Sequence, residues 1–244
     1  MRRVEAAGVF RGVKWGKVDA EAERCVEEGE VVLRGGWGGL VRGFAGGEGK
    51  VGVVSVGWSG RFIRGCLLHA AAAAGEGEGL GEVVNGMEIV ANEIEGLDGE
   101  EGSDGMLSRW FAGEGGGGIW TAGDKGRVVR RLIAGEEGGI GRMRTVYVGD
   151  SVTDLECLML VDVGVCVRDE PLQSGQEALR EVLERVGVQC RWIGEMGREH
   201  TGRGGEGVES EEGGTEKGLW WARDFEEIWQ SALFCGSTGP GMER

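Results

Sequence analysis

The sequence predicts an α/β protein in which a parallel sheet is flanked by helices. Short valine-rich runs alternate along the chain with segments whose apolar residues recur at helical spacing, as in strands joined by crossover helices. These runs are uniformly apolar, which is typical of strands covered on both faces. Polar side chains follow several of the runs, at the edge where such sheets bind ligands.

The first part of the chain, residues 1–48, is predicted to be helical. VDAEAERCVEEGE has good helix formers in an amphipathic pattern, and LVRGFA continues it. The α/β core is predicted over residues 49–196. It starts with a strand at Lys50–Val56 (KVGVVSV), and the helical spacing of WSGRFIRGCLLHAAAA follows.

In the middle of the predicted core, strand patterns alternate with helical patterns. GEGEGLGEVVNG, residues 75–86, is predicted to be a loop because glycine and glutamate dominate it. A strand is expected at Glu88–Ile94, then a turn at Gly123-Asp124 and a helix in DKGRVVRRLIAG. MRTVYVGD reads as a strand, SVTDLECLMLVD as a helix and VGVCV as a strand, completing the alternation.

The last part of the chain carries two further predicted elements of the core and a tail. QEALREVLERVG is predicted to be a helix and VQCRWIG a short strand. Residues 197–218 have almost no apolar side chain and are predicted to be disordered. Residues 219–235 are predicted to form a helix that docks on the core. Its apolar residues recur at helical spacing: Trp220, Trp221, Phe225, Ile228 and Trp229.

The composition limits the classes of partner. Glycine accounts for 52 of 244 residues, which predicts a marginally stable fold with flexible loops. A formal net charge of −15 argues against nucleic acid and anionic membranes as partners. Any phosphate bound by the chain must be held by local groups, and a small molecule is the expected partner. The oligomeric state is not predicted.

The cysteines and the absence of a long apolar run predict a cytoplasmic protein. The six cysteines include no CxxC pair, and several lie in apolar runs, as expected of buried thiols in a reducing compartment. The sequence has neither a run of about 20 apolar residues nor the apolar region of a signal peptide at the amino terminus.

Four polar residues form a chemically coherent set at or near the carboxyl ends of the predicted strands. Ser55 ends the first strand, Lys125 lies in TAGDK, and Asp150 and Asp154 follow VYVG. A hydroxyl and an ammonium can bind phosphate oxygens, and two carboxylates can hold Mg²⁺. The metal would also remove the repulsion between the two acids. The set therefore predicts phosphate binding by Ser55 and Lys125 with Mg²⁺ on Asp150 and Asp154.

In order and spacing, these segments resemble the haloacid-dehalogenase-like (HAD) phosphohydrolase superfamily. VVSVGWS is similar to its second motif, DKGRVV to its third, and VYVGDSVTDLECL to its fourth, GDSxxD. VLRGGWGGLVRGF and IVANEIE resemble the neighbouring helix and strand, so the resemblance covers roughly residues 30–168. It implies a Rossmannoid sheet with a partial helical cap at the N-terminus.

The resemblance also implies an activity, a Mg²⁺-dependent phosphatase of a small phosphorylated metabolite that passes through an aspartyl-phosphate. Ser55 and Lys125 would bind the transferring phosphoryl group, with Lys125 counted as catalytic. Asp150 and Asp154 would be the metal ligands, the second often through water.

The nucleophile of that superfamily is missing. It comes from an apolar strand followed by DxDx(T/V), and no DxD occurs in the sequence. Asp19 lies in a helical pattern without a preceding strand and is not expected to substitute. The missing strand is central in the family's sheet, and unsatisfied backbone groups cost about 1 to 3 kcal/mol each. A gene model that begins too late is the leading interpretation, and direct closure of the two flanking strands is the other.

Several alternatives stay open. Ser151 and Asp154 have the spacing of a helix capping box, which explains Asp154 but not Asp150. Lys125 alone could be a solvated lysine at a helix start, and Ser55 an ordinary strand-end residue. Ser59 is expected to cap a helix. At the level of function, the rival is a non-catalytic HAD-like protein that binds a phosphorylated ligand or partner. A phospho-accepting receiver domain would need its acid pair earlier in the chain.

Overall fold

The helices and strands follow most of the predicted alternation. The computed structural model describes residues 2–45, 49–74, 77–108, 118–136, 144–196 and 218–234. The helices are α1 (Arg2–Ala7), α2 (Trp15–Glu27), α3 (Trp37–Ala45), α4 (Gly60–Ala73), α5 (Gly77–Gly86), α6 (Ala122–Glu136), α7 (Leu155–Leu160), α8 (Ser174–Arg185) and α9 (Phe225–Gln230). The strands are β1 (Gly52–Val54), β2 (Glu88–Val90), β3 (Glu93–Ile94), β4 (Leu107–Ser108), β5 (Val146–Gly149), β6 (Val163–Val167), β7 (Cys190–Trp192) and β8 (Gly218–Ala222).

The chain divides into two units, Met1–Val129 and Arg130–Arg244. This boundary falls inside the core predicted over residues 49–196, so the prediction of one undivided core differs from the observed division. The physical reason lies in the strand pairing, since the described strands hydrogen-bond within their own unit: β1 with β2, β3 with β4, and β5 with β6, β8 and β7. Each unit is therefore described by itself.

The first unit is built from helices packed around two small sheets. β1 and β2 pair in parallel, and β3 and β4 pair antiparallel. One apolar cluster joins Val41, Ala71, Leu80 and Met87, which come from α3, α4, α5 and the start of the β2 segment. A second cluster is formed by Val18, Ile94, Leu97 and Leu107. The helical prediction for residues 1–48 is confirmed for the three helices α1 to α3.

The segment Glu88–Ile94, predicted as one strand, forms two short strands instead. β2 ends at Val90 and β3 begins at Glu93. The break falls at Asn92, which is fully buried and whose side chain bonds to backbone groups of other segments. A polar side chain that is fully buried needs hydrogen-bond partners. The partners of Asn92 belong to other segments, and the strand is interrupted at this position.

Helix α5 replaces the loop predicted at residues 75–86, and that prediction is wrong. Leu80 and Val84 are both fully buried from this helix. Each such side chain contributes about 1.5–3 kcal/mol on burial, which exceeds the helix penalty of about 1 kcal/mol for a single glycine. The apolar pair four residues apart decides the conformation despite the surrounding glycines.

The second unit contains a parallel sheet in the order β5-β6-β8-β7. All five residues of β6 are buried, as predicted for a strand covered on both faces. Leu158 from α7 and Leu179 and Leu183 from α8 pack with Cys166 and Leu219 in one cluster. The prediction of an α/β fold with a parallel sheet flanked by helices is confirmed.

The helix predicted over residues 219–235 is partly wrong, because Gly218–Ala222 forms strand β8 between β6 and β7. Helical structure is confined to Phe225–Gln230. Aromatic residues fit a strand as well as a helix, and pairing on both sides of β8 favours the strand. The segment 197–218 that was predicted to be disordered lies outside the described residues, except Gly218, which begins β8.

The thiols agree with the prediction of burial in the described chain. Cys25, Cys66, Cys157 and Cys166 are buried, Cys190 is half-buried, and none of these is in a disulfide. Cys235 lies outside the described residues. Within the described ranges, no helix combines the length and apolar character needed to cross a membrane.

Alanine substitutions at two glycines test the assignment of α5. A Cβ at Gly79, inside α5, would have no neighbour within 4 Å. We expect Gly79→Ala to raise the free energy of unfolding by about 0.5–1 kcal/mol, because alanine loses less backbone entropy in a helix.

Gly102→Ala is the contrasting variant. Gly102 has φ +77°, and a Cβ there would lie 2.8 Å from the carbonyl oxygen of Val13. We expect it to lower the free energy of unfolding by more than about 1 kcal/mol. Urea unfolding measures both variants. A Gly79→Ala variant no more stable than the parent chain would contradict a helix at α5.

Candidate functional site

Ser55 directly follows β1 in a tight turn. Its backbone N–H donates to the carbonyl of Val90 (3.0 Å), which extends the pairing with β2 by one residue. Its Oγ accepts a hydrogen bond from the backbone N–H of Gly57 (3.0 Å). A hydroxyl that accepts one hydrogen bond still has its hydrogen to donate. The half-buried Ser55 thus stands at a strand's carboxyl end with a donor suited to an oxyanion.

Backbone N–H groups at the start of helix α4 donate hydrogen bonds to side chains of the protein itself. Ser59 Oγ accepts from the backbone N–H of Phe62 (3.1 Å) and donates to Glu93 Oε1 (2.6 Å). Glu93 Oε2 also accepts from the backbone N–H of Arg61 (3.0 Å). The expectation that Ser59 caps this helix is confirmed. The carboxylate of Glu93 thus already satisfies the positive end of the helix dipole.

Asn92 links the turn after β1 to the segment before α6. Its Nδ2 donates to the carbonyls of Val56 (3.2 Å), Gly57 (3.0 Å) and Ile119 (3.0 Å). Its Oδ1 accepts from the backbone N–H of Ile119 (2.8 Å). Because Asn92 is fully buried, these bonds are made without competition from water. One amide therefore fixes the spacing between the Ser55 turn and the approach to Lys125.

Lys125 lies in the first turns of α6, which begins at Ala122. The turn predicted at Gly123-Asp124 is therefore helical. Thr121 and Asp124 cap the helix reciprocally: Asp124 Oδ2 accepts from the backbone N–H of Thr121 (2.8 Å), and Thr121 Oγ1 accepts from the backbone N–H of Asp124 (3.2 Å). Burial acts to raise the pKa of Asp124, but the hydrogen bonds from Trp120 and Thr121 outweigh it and hold that pKa below its usual value.

The buried position of Lys125 contradicts the alternative of a solvated lysine. Only 7% of the residue is exposed. Lysine is rarely so buried unless its ammonium group is paired. Lys125 is thus a buried side chain of α6, and its phosphate-binding role stays a prediction.

The second unit holds Asp150 and Asp154 at the carboxyl end of β5. Asp154 is buried, and its Oδ2 accepts from Ser151 Oγ (2.7 Å) and from the backbone N–H groups of Ser151 (3.1 Å) and Asp150 (3.3 Å). Its Oδ1 accepts from the phenol of Tyr147 (2.8 Å). The capping-box interpretation of Ser151 and Asp154 is confirmed. Asp150, in contrast, is exposed.

Gly149 is required by this arrangement. A Cβ at position 149 would lie 2.5 Å from Cβ and 2.6 Å from Cγ of Asp154. No side chain fits there without moving the buried carboxylate. The glycine of the GDSxxD segment is thus explained by the close approach of Asp154 to the end of β5.

The site residues divide between the units. The first contains Ser55 and Lys125 with Asn92 between their segments, and the second contains Asp150 and Asp154. The sequence motifs gave no signal for the linking role of Asn92, because its partners belong to segments far from it in the chain. Within the described residues, no group of three or more His, Cys, Asp or Glu side chains could hold a metal ion.

A scan against protein-family models found no match, and comparisons with curated proteins and with solved structures found no significant match either. The resemblance to the HAD superfamily accordingly rests on the motifs of the sequence.

Removal of the Asn92 amide tests its linking role. We expect Asn92→Ala to lower the free energy of unfolding by about 2–4 kcal/mol, because it leaves backbone groups of the buried Ile119 and of the half-buried Val56 and Gly57 without this partner. Urea unfolding measures the loss. Asn85→Ala, an exposed position on α5, is the matched control. Asn92→Asp should be destabilised as well, since a carboxylate would face three carbonyls. Equal stability of all three variants would refute the link.

The phenol of Tyr147 reports on Asp154. Burial raises the pKa of Tyr147 well above its ordinary value, and the negative charge of Asp154 raises it further. We expect the native protein to show no phenolate absorbance near pH 10 and the denatured chain to titrate at about that pH. Because the native pKa is the higher one, the associated stability is complete below about pH 10 and declines above it.

The chain's single tyrosine makes this titration unambiguous. Asp154→Asn removes the neighbouring charge and should lower the native pKa of Tyr147 toward its ordinary value. Identical native and denatured titration curves in the parent chain would contradict the hydrogen bond to Asp154.

Proposed function

We propose that the chain belongs to the lineage of Mg²⁺-dependent HAD-like phosphatases and binds a small phosphorylated metabolite. The observation that carries this proposal is the GDSxxD segment at the carboxyl end of a parallel strand, with Asp150 exposed and Asp154 buried and anchored. A capping box alone explains Asp154 and does not require the exposed acid at position 150. The parallel pairing of β5 and β6 and the N-terminal helices support a Rossmannoid sheet with a partial helical cap.

The phosphate-binding groups in this proposal are Ser55 and Lys125. The Ser55 hydroxyl can donate one hydrogen bond to a phosphate oxygen, and the ammonium of Lys125 supplies a positive charge in a buried setting. Asn92 positions both segments through the carbonyls of the Ser55 turn and through Ile119. The phosphate is thus recognised by local groups, as a chain with net charge −15 requires.

The carboxylates fit a magnesium ion. Mg²⁺ commonly takes one or two carboxylates and keeps several waters. Asp150 is exposed and can serve as a direct ligand, whereas three donors already occupy Oδ2 of Asp154, so Asp154 is assigned a contact through water. When bound, the ion would remove the repulsion between the two carboxylates. The residues of the chain hold and orient the groups around it.

Binding without hydrolysis is the second candidate function. The lineage attacks phosphorus with an aspartate of DxDx(T/V), and the 244 residues contain no DxD. Asp19 lies within α2, is largely exposed, and its Oδ1 is 3.7 Å from Nε2 of His69. Among the described residues that precede it, none forms a strand, which supports the expectation that it does not replace the nucleophile. We also propose a cytoplasmic location, supported by the buried thiols.

Calorimetric titration with Mg²⁺ tests the metal site. We expect heat of binding for the parent chain and a loss of affinity of at least about tenfold in Asp150→Asn, equivalent to about 1.4 kcal/mol, because the direct ligand loses its charge. Glu181→Gln, an exposed acid on α8, is the matched control and should bind as the parent does. Indistinguishable affinities in the parent and Asp150→Asn would remove Asp150 from the site.

Titration with orthophosphate in the presence of Mg²⁺ tests the phosphate groups. We expect Lys125→Met to abolish measurable phosphate binding while Mg²⁺ binding persists, because the substitution removes the ammonium but neither carboxylate. Release of phosphate from p-nitrophenyl phosphate is followed in parallel. Binding without release identifies this chain as the non-catalytic member, and absence of both binding and release would overturn the proposal.

A further inference from the structure

Aromatic side chains on the surface of the first unit adjoin the turn that carries Ser55. Trp58, three residues after Ser55, is 45% exposed. Its ring forms a T-shaped pair with Phe10 (centroids 5.1 Å apart), which belongs to the linker between α1 and α2. Trp15, where α2 begins, is also exposed and lies under the guanidinium of Arg61 (4.8 Å to the centroid). The linker thus runs along the start of α4 and brings aromatic rings together there.

The backbone on both sides of Trp58 is held in place by hydrogen bonds. The carbonyl of Gly57 accepts from Nδ2 (3.0 Å) and from the backbone N–H (3.2 Å) of Asn92. On the other side, the buried Ser59 donates from its Oγ to Glu93 Oε1 (2.6 Å). The indole of Trp58 is therefore presented from a fixed backbone, and a group that is already fixed loses less entropy when a ligand binds to it.

Trp58 lies within reach of a ligand bound at Ser55. Three residues of fully extended chain span at most about 11 Å. The segment from Ser55 to Trp58 is a turn, because Ser55 Oγ accepts from the backbone N–H of Gly57 (3.0 Å), so the two residues are closer than that limit. A small molecule with its phosphate at Ser55 can therefore extend to Trp58.

The indole of Trp58 has a face that can stack against a ligand. In a T-shaped pair, Phe10 can cover at most one of the two faces of this ring. Stacking of a nucleobase on an aromatic side chain strengthens binding by roughly 5- to 150-fold and tolerates different bases, because every base has a π face. The ring of Trp15, in contrast, already carries Arg61, which also pairs with Asp98 (3.4 Å).

We propose that the ligand bound at Ser55 is a phosphate ester with a planar aromatic group, as in a nucleoside monophosphate, and that this group stacks on Trp58. An aliphatic phosphate would leave the exposed indole without a contact. The inference rests on the proposed function, since it takes phosphate binding at Ser55 as its starting point. It adds the class of ester, which the phosphate-binding and metal-binding groups do not specify.

Calorimetric titration of the full chain in the presence of Mg²⁺ tests the inference. Adenosine 5′-monophosphate (AMP) and ribose 5-phosphate share the phosphate and the sugar and differ in the base. We expect AMP to bind at least about fivefold more tightly, because only AMP can stack on Trp58. If the chain releases phosphate from these esters, the ratio of their kcat/KM values replaces the ratio of affinities.

Phenyl phosphate, titrated alongside, distinguishes two sources of the aromatic group. Binding as tight as that of AMP would show that a simple aryl ester is sufficient, and weaker binding would assign the ligand to the nucleotides. Both results support stacking on Trp58, provided that AMP binds more tightly than ribose 5-phosphate.

Variants of Trp58 identify the stacking group. Trp58→Ala should abolish the difference between AMP and ribose 5-phosphate, whereas Trp58→Phe keeps an aromatic face and should retain a preference for AMP. Trp229→Ala is the matched control and should leave the preference unchanged, since Trp229 is an exposed tryptophan of the second unit whose ring stacks with Phe234 (5.4 Å). If Trp58→Ala does not fold by circular dichroism, Trp58→Leu takes its place.

The possible outcomes separate this inference from the proposed function on which it rests. A parent chain that binds orthophosphate but does not distinguish AMP from ribose 5-phosphate overturns the inference alone. A preference for AMP that survives Trp58→Ala does the same. A parent chain that does not bind orthophosphate overturns the phosphate site, and the inference with it.

Discussion

A polar side chain that is buried must have its hydrogen-bonding groups satisfied, and each half of the candidate site is built on this constraint. In the first unit the amide of Asn92 bonds to backbone groups of the Ser55 turn and of Ile119. In the second unit the carboxylate of Asp154 collects its donors from Tyr147, Asp150 and Ser151. The loops that carry the chemical groups take their conformation from these bonds. The positions of Ser55 and Asp150 therefore depend on the buried side chains of Asn92 and Asp154.

The need for hydrogen-bond donors ties Asp154 to the backbone at the end of β5, in addition to its proposed role as a metal ligand. Its burial would raise the free energy of the charged form if the carboxylate lacked donors, and the capping box and the phenol supply them. Gly149 is part of this solution, because a Cβ would occupy the place of the Asp154 side chain. Replacement of Asp154 would then disturb the end of β5 as well as any metal site. Asp150, which is exposed, is the cleaner position at which to separate metal binding from folding.

The sequence pattern of a segment was enough to predict its structure where that structure does not depend on pairing with distant segments. The uniformly apolar β6 and the amphipathic α8 occur where their periodicity predicts them. β8 was missed because its tryptophans suit both spacings and its strand form depends on pairing with β6 and β7. Motif order was enough to select Ser55, Lys125, Asp150 and Asp154 as candidates. It gave no signal for the bonds of Asn92, because they depend on segments that meet only in the folded chain.

The residues proposed to bind phosphate could not catalyse its transfer alone. In the proposed site, Ser55 and Lys125 would offer a hydrogen bond and a positive charge to phosphate oxygens that are present in the substrate as well as in the transition state. Interactions of equal strength in both lower the energy of both, and so leave the barrier from the bound complex unchanged. Rate enhancement in this chemistry requires a nucleophile and a proton donor that act as the bond breaks. Phosphate binding by Ser55 and Lys125 and hydrolysis are therefore separable properties of the proposed site, and the first does not imply the second.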